Sequence, residues 1–351
     1  MQTIWVWMVL ALALPSLMPG AQAEPTPIRV VVVTMFEPGA DTGDQPGEFQ
    51  AWVERLPLPV VLPFPQGYRE LRYNPAKGVL GIVTGVGTAR AAASIMALGM
   101  DPRFDLSRAY WLVAGIAGAD PNNMSLGSAA WAEWLVDGDL AHEIDPREMP
   151  RSWTTGYLPL ERAKPYALPR PEGFGSVYHL DAGLVGWAYR LTRNTHLADS
   201  AALRQARSRF VGFPKARQPP SVIRGDNLGA MTFWHGELLN RWANRWVGYW
   251  TEGHGEFATT AQEDTGTAQS LTFLDRAGRA DFARLLVLRT ASNPTMQYPG
   301  ITAAESLAAE LPGAYSAYLP SLEAAYRVGS RVVEAIVADW DRYAARPPSA
   351  P

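Results

Sequence analysis

Long apolar runs without amphipathic alternation set the rhythm of the chain. "IRVVVVTM" (28–35), "GVLGIVTGVG" (78–87), "AYWLVAGIAG" (109–118) and "ARLLVLRTAS" (283–292) have the length and composition of strands buried on both faces. "GSAAWAEWLVDG" (127–138) alternates in part, and "VGYWTEG" (247–253) is a shorter candidate; both read as further strands. The second run passes into an Ala-rich helix over 88–100. Helical periodicity recurs at 182–192, 199–209, 234–246, 257–274 and 301–310, and over 314–344 with a kink near Pro320. Strands and helices alternate, which predicts an α/β fold with helices on both faces of a central sheet.

Between these elements the residues are polar or conformationally special. The first strand ends in the loop "FEPGADTGDQPGEF". Residues 145–180 are rich in Pro and Tyr and read as irregular; 209–222 read as a loop or flap. No repeat is present, so residues 24–346 form one domain, with a tail at 347–351 expected to fray. Residues 1–23 resemble a signal peptide: an apolar core from Ile4 to Leu14, then Pro15 and Pro19, then Ala21-Gln22-Ala23 before Glu24. An uncleaved anchor is the rival reading, though the run falls short of a spanning helix; the expected location is the periplasm or the exterior after cleavage. Beyond residue 23 no apolar run has the length of a membrane span, so stable membrane insertion is not expected.

Composition narrows the field. The chain has 351 residues, 47% hydrophobic and 19% charged, with a net charge of −3. That balance does not point to nucleic acid. No cysteine is present, which removes thiol chemistry, disulfides and Cys-based zinc sites. There are 13 Trp, more than a core ordinarily requires, and indole planes suit a ligand that stacks.

Four motifs could carry chemistry. In "VTGVGTARAA" a strand feeds a Gly-x-Gly turn at Gly85 and Gly87, which opens a helix at Thr88; such N–H groups can hold an anion or a hydroxyl. No third glycine completes a dinucleotide fingerprint, and a plain tight turn is the rival reading. In "VAGIAGA" the small residues Gly115, Ala117, Gly118 and Ala119 would let either a flat ligand or a helix approach the backbone. In "FATTAQEDTGTAQSL" the acids Glu263 and Asp264 sit among small apolar residues, where a carboxylate is costly unless paired or used. It could accept two ribose hydroxyls, with Gln262 beside it. In "LVLRTASNPT" a strand ends at Ser292 and Asn293, and an amide there can both donate to and accept from a purine edge.

Taken in order, these pieces resemble the nucleoside phosphorylase and nucleosidase superfamily, and "SVIRGDNLGAMTFW" resembles its flap segment. "TMFEPGADTGD", "PGEFQAW", "TGVGTARAAAS" and "QEDTG" resemble more closely the family called purine nucleoside permeases, over roughly residues 28–345. The resemblance implies a three-layer αβα sandwich with a central mixed sheet, nucleoside phosphorylase-like. It implies a purine nucleoside or purine base as ligand, with a homo-oligomer possible in this superfamily. Glu263 falls where the superfamily places its ribose-binding Glu, although Gln262 stands where Met is usual. Asn293 falls where many members carry an Asp that protonates the base; Asn instead stabilises the departing base by a hydrogen bond, with Ser292 orienting it. Phe233 or Trp234 would stack on the base. Gly85, Gly87 and Thr88 would lie near the nucleophile. A transport name implies membrane spans, which the sequence does not offer.

The reaction turns on the nucleophile. The first loop holds Glu37, Asp41, Asp44 and Glu48 with no Lys or Arg, a setting that opposes phosphate and can activate water. Glu37 or Glu48 is therefore the candidate base of a hydrolase. Arg90, with Arg72 behind it, is the argument for a phosphorylase that uses phosphate as co-substrate. A third reading is a non-catalytic periplasmic binding protein that hands nucleosides to a transporter. No cofactor is expected. No metal is expected either: "DTGD" is too sparse for a calcium site, and the five His lack ligand spacing. His235 and His254 could line the pocket or be structural.

Overall fold

Five consecutive buried residues at the head of the described chain, β1 (Val30–Thr34), start the sheet. Their β-branched side chains pack on both faces, as an interior parallel strand requires. The computed structural model describes residues 24–173, 175–310 and 317–349; the leader read at 1–23 lies outside the described residues. After β1 come α1 (Gln50–Arg55), β2 (Val60–Leu62), β3 (Leu71–Asn74), β4 (Val79–Val83), α2 (Thr88–Gly99) and β5 (Tyr110–Ala119). Next are β6 (Ala129–Ala132), β7 (Trp134–Asp137), β8 (Val177–His179), α3 (Ala182–Thr192) and α4 (Ala201–Ser208). Then follow β9 (Val222–Arg224), β10 (Asp226–Gly229), α5 (Glu237–Trp250), β11 (Phe257–Ala261) and α6 (Asp264–Arg276). The chain closes with β12 (Leu285–Pro294), α7 (Ala303–Ala308), α8 (Tyr318–Ala338) and α9 (Trp340–Ala345).

These strands make one mixed 12-stranded sheet among the described residues. Its path runs β8-β7-β10-β11-β5-β1-β4-β3-β2, while β12 pairs with β5 and β6, and β9 with β6. The ten-residue β5 is the spine. Its first half lies parallel to β1, its tip antiparallel to β11, and its whole length parallel to β12. The β5–β12 register slips between Ala291 and Asn293, so Ser292 is an extra, bulged residue at the sheet's rim. One helical layer centres on α8, which packs on β5, β12 and β1 beside α1 and α3; α2 and α6 pack together as the other. The fold is the expected α/β sandwich with a mixed sheet.

Several elements differ from the sequence pattern for identifiable reasons. The apolar run at 247–253 is the end of α5, whose buried Asn240, Ala243, Trp246, Val247 and Trp250 follow helical spacing. The helix expected from 257 begins only at Asp264; residues 257–261 are strand β11, clamped between β10 and the tip of β5. The strand expected over 127–138 breaks at Glu133. There the Asp226 carboxylate accepts from the N–H groups of Glu133 (3.0 Å) and Trp134 (2.8 Å). Pro320 sits in the first turn of α8, where its missing N–H costs nothing, and the break falls at Asp339 instead. The strands β2, β3, β8, β9 and β10, of three or four residues each, are too short to show a period. In the tail expected to fray, Pro348 is buried and Ser349 lies beside Gly183.

Candidate active site

A cavity of about 430 Å³ opens beyond the tips of β1, β5 and β12. In open α/β sheets, ligands occupy the crevice outside the carboxyl ends of the strands. Ile116, Ala117 and Gly118 from β5 supply one wall; Ser292, Asn293 and Thr295 supply the adjoining one. The acidic wall is Glu48, Gln262, Glu263 and Arg289; Phe233, Trp234 and Tyr318 supply aromatic surface.

The acids are buried and individually held. Glu48 accepts the N–H groups of Met35 (2.8 Å), Phe36 (3.0 Å) and Ile116 (2.7 Å). Burial pushes its carboxyl up to about 7, against the opposing field of Arg289. Glu263 accepts from Gly87 N–H (3.2 Å), Gln262 N–H (3.2 Å) and Arg289 Nη2 (2.9 Å). Burial raises its carboxyl too, while Arg289 pulls it down. An ionised carboxylate offers about four acceptor sites, so each of these acids keeps roughly one for a ligand.

Arg289 joins the group. Its Nε and Nη2 bond Asp264 at 3.1 and 2.5 Å, and Nη1 donates to the carbonyl of Ile116 (3.1 Å). Asp264 is wholly buried and faces this guanidinium rather than the cavity. Gly115 permits the arrangement. A Cβ there would lie 2.5 Å from Glu48 Oε1 and 2.8 Å from Arg289 Nη1, so any side chain would separate the two. The small-residue run thus serves both earlier readings: Gly115 makes room for side chains, and Ala117 and Gly118 face the cavity.

On the other wall, Ser292 Oγ meets Asn293 Oδ1 (2.8 Å) and the carbonyl of Ala117 (3.1 Å). Asn293 Nδ2 donates to Glu310 Oε2 (3.1 Å). Trp234 is buried edge-on against Trp242, and its indole N–H has no partner among the described residues; Phe233 is half-exposed at the mouth. The flap residue Met231 is tied at both ends: its N–H donates to Asp139, and its carbonyl accepts from the Gln262 side chain.

The structure therefore brings together Glu48, Ala117, Gly118, Phe233, Trp234, Gln262, Glu263, Ser292 and Asn293 around one cavity. Gly87 and Thr88 stand one bond behind it: Gly87 holds Glu263, and Thr88 Oγ1 donates to the carbonyl of Gln262 (2.8 Å). Gly85 lies under Tyr68, and Arg90, exposed, points its guanidinium toward the same ring at 5.8 Å; neither lines the cavity. Glu37 is also outside the lining. Its carboxylate receives the N–H groups of Gly47 (2.9 Å), Phe49 (2.5 Å) and Gln50 (3.0 Å) and so fixes the start of α1. The loop's acids are not unscreened, as the sequence suggested: Asp41 pairs with Arg69 (2.9 Å) and Arg72 (2.7 Å). His235 and His254 do not line the cavity. Arg289, Thr295, Glu310 and Tyr318 escaped the sequence reading. Only Arg289 carried a signal, as a lone charge inside an apolar strand, where burial demands partners.

Comparison with known proteins gives the chain a family and its fold a set of relatives. A family model described as purine nucleoside permease matches residues 27–348. A purine nucleoside permease of Candida albicans is 27% identical over 317 residues, covering 90% of this chain and 76% of that one. A probable purine nucleoside permease of Schizosaccharomyces pombe is 28% identical over 281 residues, covering 78% and 80%. Among solved structures, 5′-methylthioadenosine/S-adenosylhomocysteine nucleosidase from Helicobacter pylori aligns with a TM-score of 0.53 at 12% identity, over 88% of this chain and 98% of that one. Futalosine hydrolase of the same organism aligns with a TM-score of 0.52 at 12% identity, with 88% and 98% covered. These structural likenesses concern the fold. No helix among the described residues is long and apolar enough to cross a membrane.

Proposed function

The chain belongs to the purine nucleoside permease family, and from that premise we propose that it is an exported enzyme that hydrolyses the N-glycosidic bond of purine nucleosides. The observation that carries the reading is Glu48, a buried carboxylate on the cavity wall with a pKa near 7 and a spare acceptor site. Such a group can take a proton from water near neutral pH. Glu263 accepts a ribose hydroxyl beside it, steadied by Arg289. As the glycosidic bond breaks, positive charge grows on the sugar, and the two carboxylates stabilise it. The base lies against Ala117 and Gly118, with Trp234 and Phe233 as aromatic surface. Asn293, oriented by Ser292, hydrogen-bonds the departing base. Asn cannot give up a proton at this pH, so its contribution is a hydrogen bond to developing negative charge.

Water is favoured over phosphate by the electrostatics of the lining. Among the described residues Arg289 is its one cation, and it is committed to Asp264 and Glu263. Arg90 and Arg72 stand elsewhere. The test is incubation of purified protein with adenosine and inosine, with and without phosphate. Base release without phosphate is the expected result. Strict dependence on phosphate would replace the hydrolase by a phosphorylase, and binding without turnover would leave a nucleoside-binding protein. Export is checked separately: the secreted form should begin at Glu24.

A further inference from the structure

We infer that Glu310 is the specificity-determining residue of the base site, acting through Asn293 to favour 6-aminopurines over 6-oxopurines. This rests on the reading of the cavity as a purine site. Both ends of the Asn293 amide are already engaged, its nitrogen by Glu310 Oε2 (3.1 Å) and its oxygen by Ser292 Oγ (2.8 Å). A primary amide carries two N–H donors and two carbonyl lone pairs. One of each is spent, and one of each remains for the cavity that Asn293 lines. A donor beside an acceptor complements a base edge that offers an acceptor beside a donor. The N7 and 6-amino group of adenine form such an edge, the one an Asn amide reads bidentately. In a 6-oxopurine both positions are acceptors, so the carbonyl of Asn293 would face O6 and the pair would lose one bond and gain a repulsion.

Ser292 alone does not impose this orientation, because its hydroxyl also reaches the carbonyl of Ala117 (3.1 Å). With the amide flipped, Ser292 could accept from the nitrogen and donate to Ala117. Glu310 breaks the tie: an ionised carboxylate only accepts, so it demands the nitrogen. Burial pushes Glu310 up to about 8, with the Asn293 hydrogen bond the one opposing influence, and among the described residues it makes no ion pair. The orientation is therefore firmest above that pH.

The test compares wild type with Glu310→Leu and Glu310→Gln at pH 9, using kcat/KM for adenosine and inosine and calorimetric binding of adenine and hypoxanthine. Wild type should prefer the 6-amino compounds by about tenfold, the worth of one misplaced neutral hydrogen bond. Both variants should shrink that ratio toward unity, Gln because its amide can donate as well as accept. A general loss of folding would lower both compounds alike and leave the ratio unchanged. Failure of catalysis does not confound the test: a preference for adenine in binding that the variants erase sustains the inference without turnover. Equal handling of both purines by wild type, a preference that survives in both variants while their cooperative melting transition is intact, or no binding of either base overturns it.

Discussion

Glu48 and Arg289 differ in what their removal should cost. Glu48 is positioned by three backbone N–H groups, and Glu48→Gln keeps the shape while removing the proposed base. Turnover should fall by roughly a hundredfold to ten-thousandfold, the usual worth of general base catalysis, and because the new amide nitrogen must face at least one of those N–H donors, stability should also drop by about 1–3 kcal/mol. The base must be ionised to work, and its pKa is about 7, so kcat/KM should fall as pH drops below that value. A rate profile measured from pH 5 to 9 checks this; a flat acid limb would remove Glu48 from the role. Arg289 is a structural cation at the same site. Arg289→Met would strand the carboxylates of Asp264 and Glu263 in the interior, at a cost of about 3–5 kcal/mol, readable by urea denaturation.

Elements rather than residues decide where the acids of the cavity are held. Helix α2 starts from Gly87, whose φ of +102° and ψ of +148° lie in a region closed to other residues. Its N–H donates to Glu263, so the turn and the acid at the head of α6 fix each other. Gly87→Ala should cost about 1–3 kcal/mol and weaken nucleoside binding more than binding of the free base, which calorimetry separates. The sequence announced this turn, the long strands β1, β4, β5 and β12, and helices α2 and α3, because long periodic segments carry their own signal. It also picked out Glu263, Ser292 and Asn293. It misread 247–253 and 257–261, where tertiary contacts outweigh local pattern: α5 buries two-turn spacing in a Trp-rich cluster, and β11 is a strand because β10 and β5 flank it. Glu37 and Glu48 looked equivalent in the loop. Which acid faces the cavity follows from how the loop folds over β1, and spacing does not encode that.

At the scale of the molecule, the buried carboxyls give stability an unusual pH dependence. Glu48 and Glu310 titrate near 7 and 8 when folded, against about 4.5 for an unperturbed Glu. Between those values the folded chain binds more protons than the unfolded one, so their contribution falls as pH rises. His235, held low by burial, adds an opposing loss on acidification below its ordinary 6.5. The melting temperature should therefore be higher at pH 6.5 than at pH 8.5, by roughly a few degrees for a chain of this size, in calorimetry at fixed ionic strength. The reverse order would contradict the burial of these acids. The bulge at Ser292 has a separate consequence, for how such a protein can diverge. The rim of the sheet absorbs one surplus residue there while the pairing before it stays in register. Chain length at that point is thus an editable character. Deleting Ser292 would straighten the strand end and withdraw the hydroxyl that meets Asn293, leaving a folded scaffold whose circular dichroism is intact and whose purine binding is lost. A one-codon change at the rim would therefore reshape a wall of the cavity with no rebuilding of the core.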